Sequence, residues 1–205
     1  LYSDYTLFVA EVASTLNEEL LSHHLLHSTG DPKLRMGVVN HSLEQVRTTI
    51  FRQTMFAEFE REAHRRAEAG EALTSELLSE IHLELNKKYH GPGVNVADEV
   101  GIEWSRIPHF YRNFYVYKYA TGMAAAIALS QQILDEGQPA VDRYIGFLSG
   151  GSSKYSIDLL KGAGVDISTP DAVNSALQVF GKRIDEMERL LGLASDGAKR
   201  NGHVY

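Results

Sequence analysis

At 205 residues and 22.8 kDa, the chain is long enough to bury one substantial hydrophobic core. Its net charge of −7 and the absence of basic tracts longer than a pair argue against nucleic acid as a partner, because phosphate binding needs a concentrated basic face. Cysteine is absent, which excludes disulfides and thiolate metal sites and fits a reducing cytoplasm. The most apolar stretch, residues 123–129, is too short to span a membrane. We therefore expect a cytoplasmic protein with neither nucleic acid nor membrane partners.

Apolar residues at helical spacing predict a first helix over residues 4–28. Val9, Val12 and Leu16 lie on one side of it. Glu11 and Glu18 lie on the other side, among further apolar residues. A helix that is apolar on two sides is usually buried, so its acids must meet a cation, a network of donors or a water-filled cleft.

The rest of the chain also has helical periodicity. Asp31-Pro32 begins a long helix that ends near Gly70, and a third helix covers residues 74–89. Residues 91–113 lose the periodicity and are expected to be a loop or irregular. Further helices are predicted over 115–136, 139–148, a short segment ending near 162–164, and 170–191. Strand-like alternation persists nowhere, so the predicted class is all-α, with residues 1–193 as one helical unit and 194–205 as a flexible tail.

Three segments carry candidate chemistry, and the first is on the first helix. Glu11 and Glu18 are seven residues apart, so both carboxylates project from one helical face. This arrangement suits a metal ligand and a second carboxylate that orients another ligand. Spacing alone nevertheless favours two ordinary surface or salt-bridged acids.

The second candidate is the histidine pair later on the same helix. His23 and His27 are one turn apart and could bind a metal, but position 24 is His where an HExxH motif needs Glu. Histidines that interact with the negative end of the helix dipole are the preferred interpretation.

The third candidate is the segment 108–122, in which one histidine and four tyrosines stand at a loop-to-helix junction. Tyrosine hydroxyls can donate hydrogen bonds to a developing oxyanion while the rings pack against a peptide. The alternative is an aromatic core layer. The residues are His109, Tyr111, Tyr115, Tyr117 and Tyr119.

Taken in order, the segments 8–18 and 107–122 resemble the oligoendopeptidase F branch of the thimet oligopeptidase-type zinc peptidases. The resemblance extends from Tyr2 to about Leu191. It implies that Glu11 is the third zinc ligand and that Glu18 lies just behind the metal. It also implies that His109 and Tyr117 bind an oligopeptide substrate and stabilise the tetrahedral intermediate. The loop is shorter than in the thimet oligopeptidase branch, so either Tyr111 or Tyr115 could provide the second tyrosine.

The family's HExxH motif, with two zinc-binding histidines and the general-base glutamate, does not occur in this sequence. We therefore expect these residues in a missing N-terminal part of the same protein. The isolated chain is predicted to be inactive and to bind zinc only weakly, because catalytic zinc needs three protein ligands. Two alternatives stay open: a non-catalytic helical binding or scaffold domain derived from such a peptidase, and a free-standing helical regulatory protein.

Overall fold

The computed structural model describes residues 4–193, and the predicted all-α class is confirmed. The predicted tail, residues 194–205, lies outside the described residues. The helix boundaries agree with the sequence predictions to within a few residues. Within residues 4–193 the α-helices are α1 (Leu7–Ser28), α2 (Pro32–Val46), α3 (Arg52–Glu68), α4 (Ser75–His90), α5 (Tyr117–Glu136), α6 (Gln138–Gly150), α7 (Ser156–Ala163) and α8 (Asp171–Leu190).

Local capping explains where several helices begin and end. The Asp31 side chain accepts a hydrogen bond from the backbone N–H of Lys33, and Pro32 occupies the first turn of α2. Thr74 caps α4 in the same way, through the N–H of Leu77. Gly91 ends α4 with φ +71°, a conformation that costs glycine little.

A π-helical turn, Arg47–Phe51, joins α2 to α3. The long helix predicted from the sequence is thus continuous in its path but carries one wider turn. The Thr48 hydroxyl donates to the carbonyl oxygen of Glu44 at 2.7 Å, which is a side-chain bond that competes with the regular helical ladder. Hydrophobic spacing cannot reveal such a turn, because Ile50 still faces the core.

Helix α5 is the centre of the main core. All nine residues from Gly122 to Ser130 are buried, and most of them are small enough to allow neighbouring helices to approach closely. Helices α1, α6 and α8 and the π-helical turn pack around it. Val12 and Leu16 of α1, Ile127 of α5, Leu160 of α7 and Ala176 of α8 have no exposed surface.

The segment between α4 and α5 was expected to be irregular, and it contains two 3₁₀ helices, Asp98–Arg106 and Pro108–Tyr111. Gly101 lets the first one lie close to α4, since a Cβ there would sit 3.0 Å from the Ser79 carbonyl oxygen. Phe110 of the second packs on Phe56 and Phe59 of α3, with ring centroids 5.5 and 5.1 Å apart. The expectation of a loop or irregular segment was thus wrong for these two stretches, because a 3₁₀ helix does not have the 3.6-residue period by which the α-helices were predicted. None of the described helices is long and apolar enough to cross a membrane.

Candidate functional site

A cleft of about 230 Å³ opens between α1, α5 and the junction of α2 with the π-helical turn. Both predicted acids lie in it. The α1 side of the cleft carries four polar side chains, whereas α5 contributes Tyr119, Gly122 and Met123. The lining residues are Glu11, Ser14, Thr15 and Glu18 from α1, Gln45 and Thr49, and Tyr119, Gly122 and Met123 from α5.

Gly122 lies where α1 packs against α5. A Cβ at this position would lie 3.4 Å from a ring carbon of Phe8 and 3.7 Å from a methyl of Val12. A methyl group would therefore fit in ordinary van der Waals contact, but a larger side chain would collide with α1. Glu11 of α1 and Tyr119 of α5 line the same cleft as Gly122.

The two acids have different surroundings. Glu11 is half-buried, and its partial burial raises the pKa of its carboxyl above the ordinary value. Glu18 is exposed, and its Oε2 accepts a hydrogen bond from Nε2 of Gln45 at 2.8 Å. Glu11 is thus a desolvated carboxylate that would gain from a cation, whereas Glu18 already has a donor.

Three rings of the predicted His/Tyr segment form one aromatic cluster beside the cleft. His109 stacks on Tyr115 with a centroid distance of 5.9 Å and meets Tyr119 edge-on at 5.9 Å. Tyr115 and Tyr119 are perpendicular at 5.4 Å, and the Tyr119 hydroxyl donates to the Tyr115 hydroxyl at 3.3 Å. Because Tyr119 also lines the cleft, it connects this cluster to Glu11.

The Tyr119 hydroxyl stays protonated well above neutral pH. Desolvation raises its pKa most, followed by the hydrogen bond to Tyr115 and the negative charges of Tyr115 and Glu11. A tyrosine held in this state remains a hydrogen-bond donor over the whole physiological pH range.

The remaining predicted tyrosines lie elsewhere. Tyr111 is 85% exposed and Tyr117 is 47% exposed, and neither lines the cleft. Of the predicted residues, Glu11 and Glu18 line the cleft, and His109 and Tyr115 lie in the aromatic cluster beside it. Tyr119, which the sequence offered only as one of four candidate tyrosines, connects the two. Tyr119 and Gly122 are three residues apart in α5, a spacing that places them on one face of the helix.

Within residues 4–193 no group of three or more His, Cys, Asp or Glu side chains is arranged to hold a metal. His23 and His27 stack on each other at 4.0 Å and lie in another cleft, beside Lys182 and Arg183. Burial, and then the charges of His27 and Arg183, lower the pKa of His23. The positive charge of Arg183, which lowers this pKa, also disfavours a metal cation at His23. The carboxylate of Glu11 fits zinc as a single ligand, but its cleft contains no histidine.

The model of Peptidase family M3 matches residues 1–179 of the sequence. The chain belongs to peptidase family M3. This membership confirms the resemblance on which the site was predicted.

Relatives of known annotation and structure agree with the family assignment. Oligopeptidase PepF of Bacillus subtilis is 58% identical over 190 residues, covering 93% of this chain and 28% of the relative. Oligoendopeptidase F homolog of Lactococcus lactis is 43% identical over 190 residues, covering 93% and 32%. The crystal structure of oligoendopeptidase-F from Enterococcus faecium matches with a TM-score of 0.88 and 44% identity, covering 93% and 36%. The chain thus spans about a third of the length of these M3 relatives.

Proposed function

We propose that this chain forms one wall of a zinc endopeptidase site that cleaves oligopeptides. In this proposal the chain supplies one metal ligand and a set of tyrosine and histidine donors. The observation that carries it is the shared cleft of Glu11 and Tyr119 in an M3 family member. The HExxH residues that the family resemblance requires would come from outside this sequence.

Glu11 is the residue that would hold the metal. Its carboxylate is partly desolvated, so a cation would stabilise the ionised form and bring its pKa down again. Two further ligands are needed to complete a catalytic zinc site. When bound, zinc supplies Lewis acidity toward a scissile carbonyl and lowers the pKa of a water molecule. Gln45 would keep Glu18 oriented behind Glu11 through the bond at 2.8 Å.

Tyr119 and Tyr115 would stabilise negative charge that develops on the substrate. Tyr119 lines the cleft and its hydroxyl stays protonated, so it can donate a hydrogen bond to the substrate. In the present structure it donates to Tyr115, and substrate would replace that partner. His109, stacked on Tyr115, offers a further ring N–H to the peptide. We assign to Tyr119 the stabilising role that the resemblance gave to Tyr117, because Tyr117 does not line the cleft.

Peptide cleavage by the whole protein containing this chain tests the proposal. Glu11→Gln should abolish both stoichiometric zinc binding and turnover, since a neutral amide is a poor zinc ligand. Glu18→Gln is the matched control and should retain zinc, because the amide oxygen can still accept from Gln45. The isolated chain should show no turnover with added zinc. Robust cleavage by the isolated chain, or by Glu11→Gln in the whole protein, would overturn the proposal.

A further inference from the structure

Phe114, the residue before Tyr115, has an unusual backbone conformation. Its φ of +52° makes it the only non-glycine residue with positive φ among residues 4–193. Left-handed backbone brings Cβ too close to the carbonyl oxygen, and a bulky side chain rarely adopts it without support from its surroundings. Something must therefore hold this residue in place.

Glu60 of α3 provides that support. Its side chain is buried, with 5% of the residue exposed, and Oε1 accepts a hydrogen bond from the backbone N–H of Phe114. A bond to a carboxylate is stronger than one between neutral groups, and a buried carboxylate without a donor is costly. One turn further along α3, the His64 ring lies 4.7 Å from the Phe114 ring. Helix α3 thus contacts both the backbone and the side chain of Phe114.

The chain on either side of Phe114 is fixed to the same helix. Phe110 packs on Phe56 and Phe59, and Val116, which is 1% exposed, packs in the cluster of Met55 and Phe56. The short turn between these anchors carries Tyr115. Since a change of φ at Phe114 redirects the next residue, it would move the Tyr115 ring relative to His109 and Tyr119.

We propose that Glu60 is a positioning residue that holds Phe114 in the left-handed conformation and so places Tyr115 against His109 and Tyr119. Glu60 does not line the cleft and acts through the backbone of Phe114. This inference rests on the proposed function, in which those rings contact the substrate.

Enzyme kinetics on the whole protein test this role. Glu60→Gln keeps an acceptor oxygen and should leave kcat within about twofold of the wild type. Glu60→Leu removes the acceptor and should lower kcat by about 10- to 100-fold, with a smaller change in KM. The reason is that the side chains that donate hydrogen bonds to the transition state would be displaced. Phe114→Gly, added to Glu60→Leu, should restore most of kcat, because glycine adopts positive φ without steric cost. Equal losses in Glu60→Leu with and without Phe114→Gly would overturn the proposal.

A second variant covers the case in which Glu60→Leu does not fold. Phe114 is 49% exposed, and Phe114→Pro both removes the N–H and prevents positive φ. It should lower kcat as Glu60→Leu does, and unchanged kcat would overturn the positioning role.

Hydrogen exchange at the amides of residues 114 and 115 gives a readout independent of activity. Glu60→Leu should speed exchange by about tenfold or more, and Glu60→Gln should not. Unchanged exchange in Glu60→Leu overturns the proposed contact. A whole protein that shows this exchange pattern but cleaves no peptide overturns the proposed function instead, so the two failures are distinguishable.

Discussion

Two separate variants, Tyr119→Phe and Tyr117→Phe, distinguish the tyrosine in the cleft from its exposed neighbour. Tyr119→Phe removes one hydroxyl whose only hydrogen bond among residues 4–193, to Tyr115, is 3.3 Å long. Loss of such a bond at a half-buried site should cost about 1 kcal/mol of stability or less. Loss of a donor that faces the transition state lowers kcat by about 10²–10³, or about 2.7–4 kcal/mol. The effect on kcat should therefore clearly exceed the effect on folding.

The assay is steady-state cleavage of a fluorogenic oligopeptide by the whole protein, with thermal unfolding of each variant measured in parallel. Tyr119→Phe should lose kcat with little change in KM, while Tyr117→Phe, which changes a side chain that is 47% exposed, should stay within about threefold of the wild type. Loss of activity in Tyr117→Phe with full activity in Tyr119→Phe would refute the assignment made from the cleft geometry.

Three further outcomes follow from packing and burial. Gly122→Ala should be tolerated, because a Cβ would meet Phe8 at an ordinary contact distance of 3.4 Å. Gly122→Leu should lower the free energy of unfolding in denaturant by about 1–3 kcal/mol. Equal costs for the two variants would contradict the close approach of α1 and α5. Leu160→Ala, at a residue with no exposed surface, should cost about 2.7–5 kcal/mol, against less than about 1 kcal/mol for Leu134→Ala, which is 38% exposed. Desolvation lowers the pKa of buried His82 in the folded protein. As the pH falls below about 6.5, His82 is therefore protonated in the unfolded chain before it is protonated in the folded one. The free energy of unfolding that depends on this residue is at its maximum above that pH and falls below it. Hydrogen exchange in α4, corrected for its intrinsic pH dependence, should therefore accelerate as the pH falls from about 7 to about 5.5. His82→Leu should remove that acceleration, and an unchanged pH dependence in His82→Leu would show that other groups cause it.

Much of the fold could be predicted from the sequence, because its helices have strong periodicity and clear caps. Asp31-Pro32 and Gly91 set the ends of helices through local chemistry that is visible in the sequence. The π-helical turn could not be predicted, since it leaves Ile50 facing the core as an ordinary helix would. Its consequence is tertiary: Gln45 and Thr49 line the cleft beside Glu11.

The residues around the cleft differ in how much of their position could be predicted from the sequence. Glu11 was identified mainly from the family resemblance, because a lone acid on a helix carries little information by itself. The resemblance pointed to Tyr117, whereas Tyr119 lines the cleft, and a run of tyrosines does not show which ring the start of α5 turns toward the cleft. Glu60 carries no signal in the sequence, where it stands among many charged residues, and yet it is buried. Its burial depends on a loop more than fifty residues away.

Anomalous diffraction at the zinc absorption edge, on crystals of the whole protein, tests the central claim most directly. We predict a single strong peak in the cleft, about 2.0–2.2 Å from a carboxylate oxygen of Glu11, with the Tyr119 hydroxyl facing the same space. A zinc peak whose ligands do not include Glu11 would contradict the account.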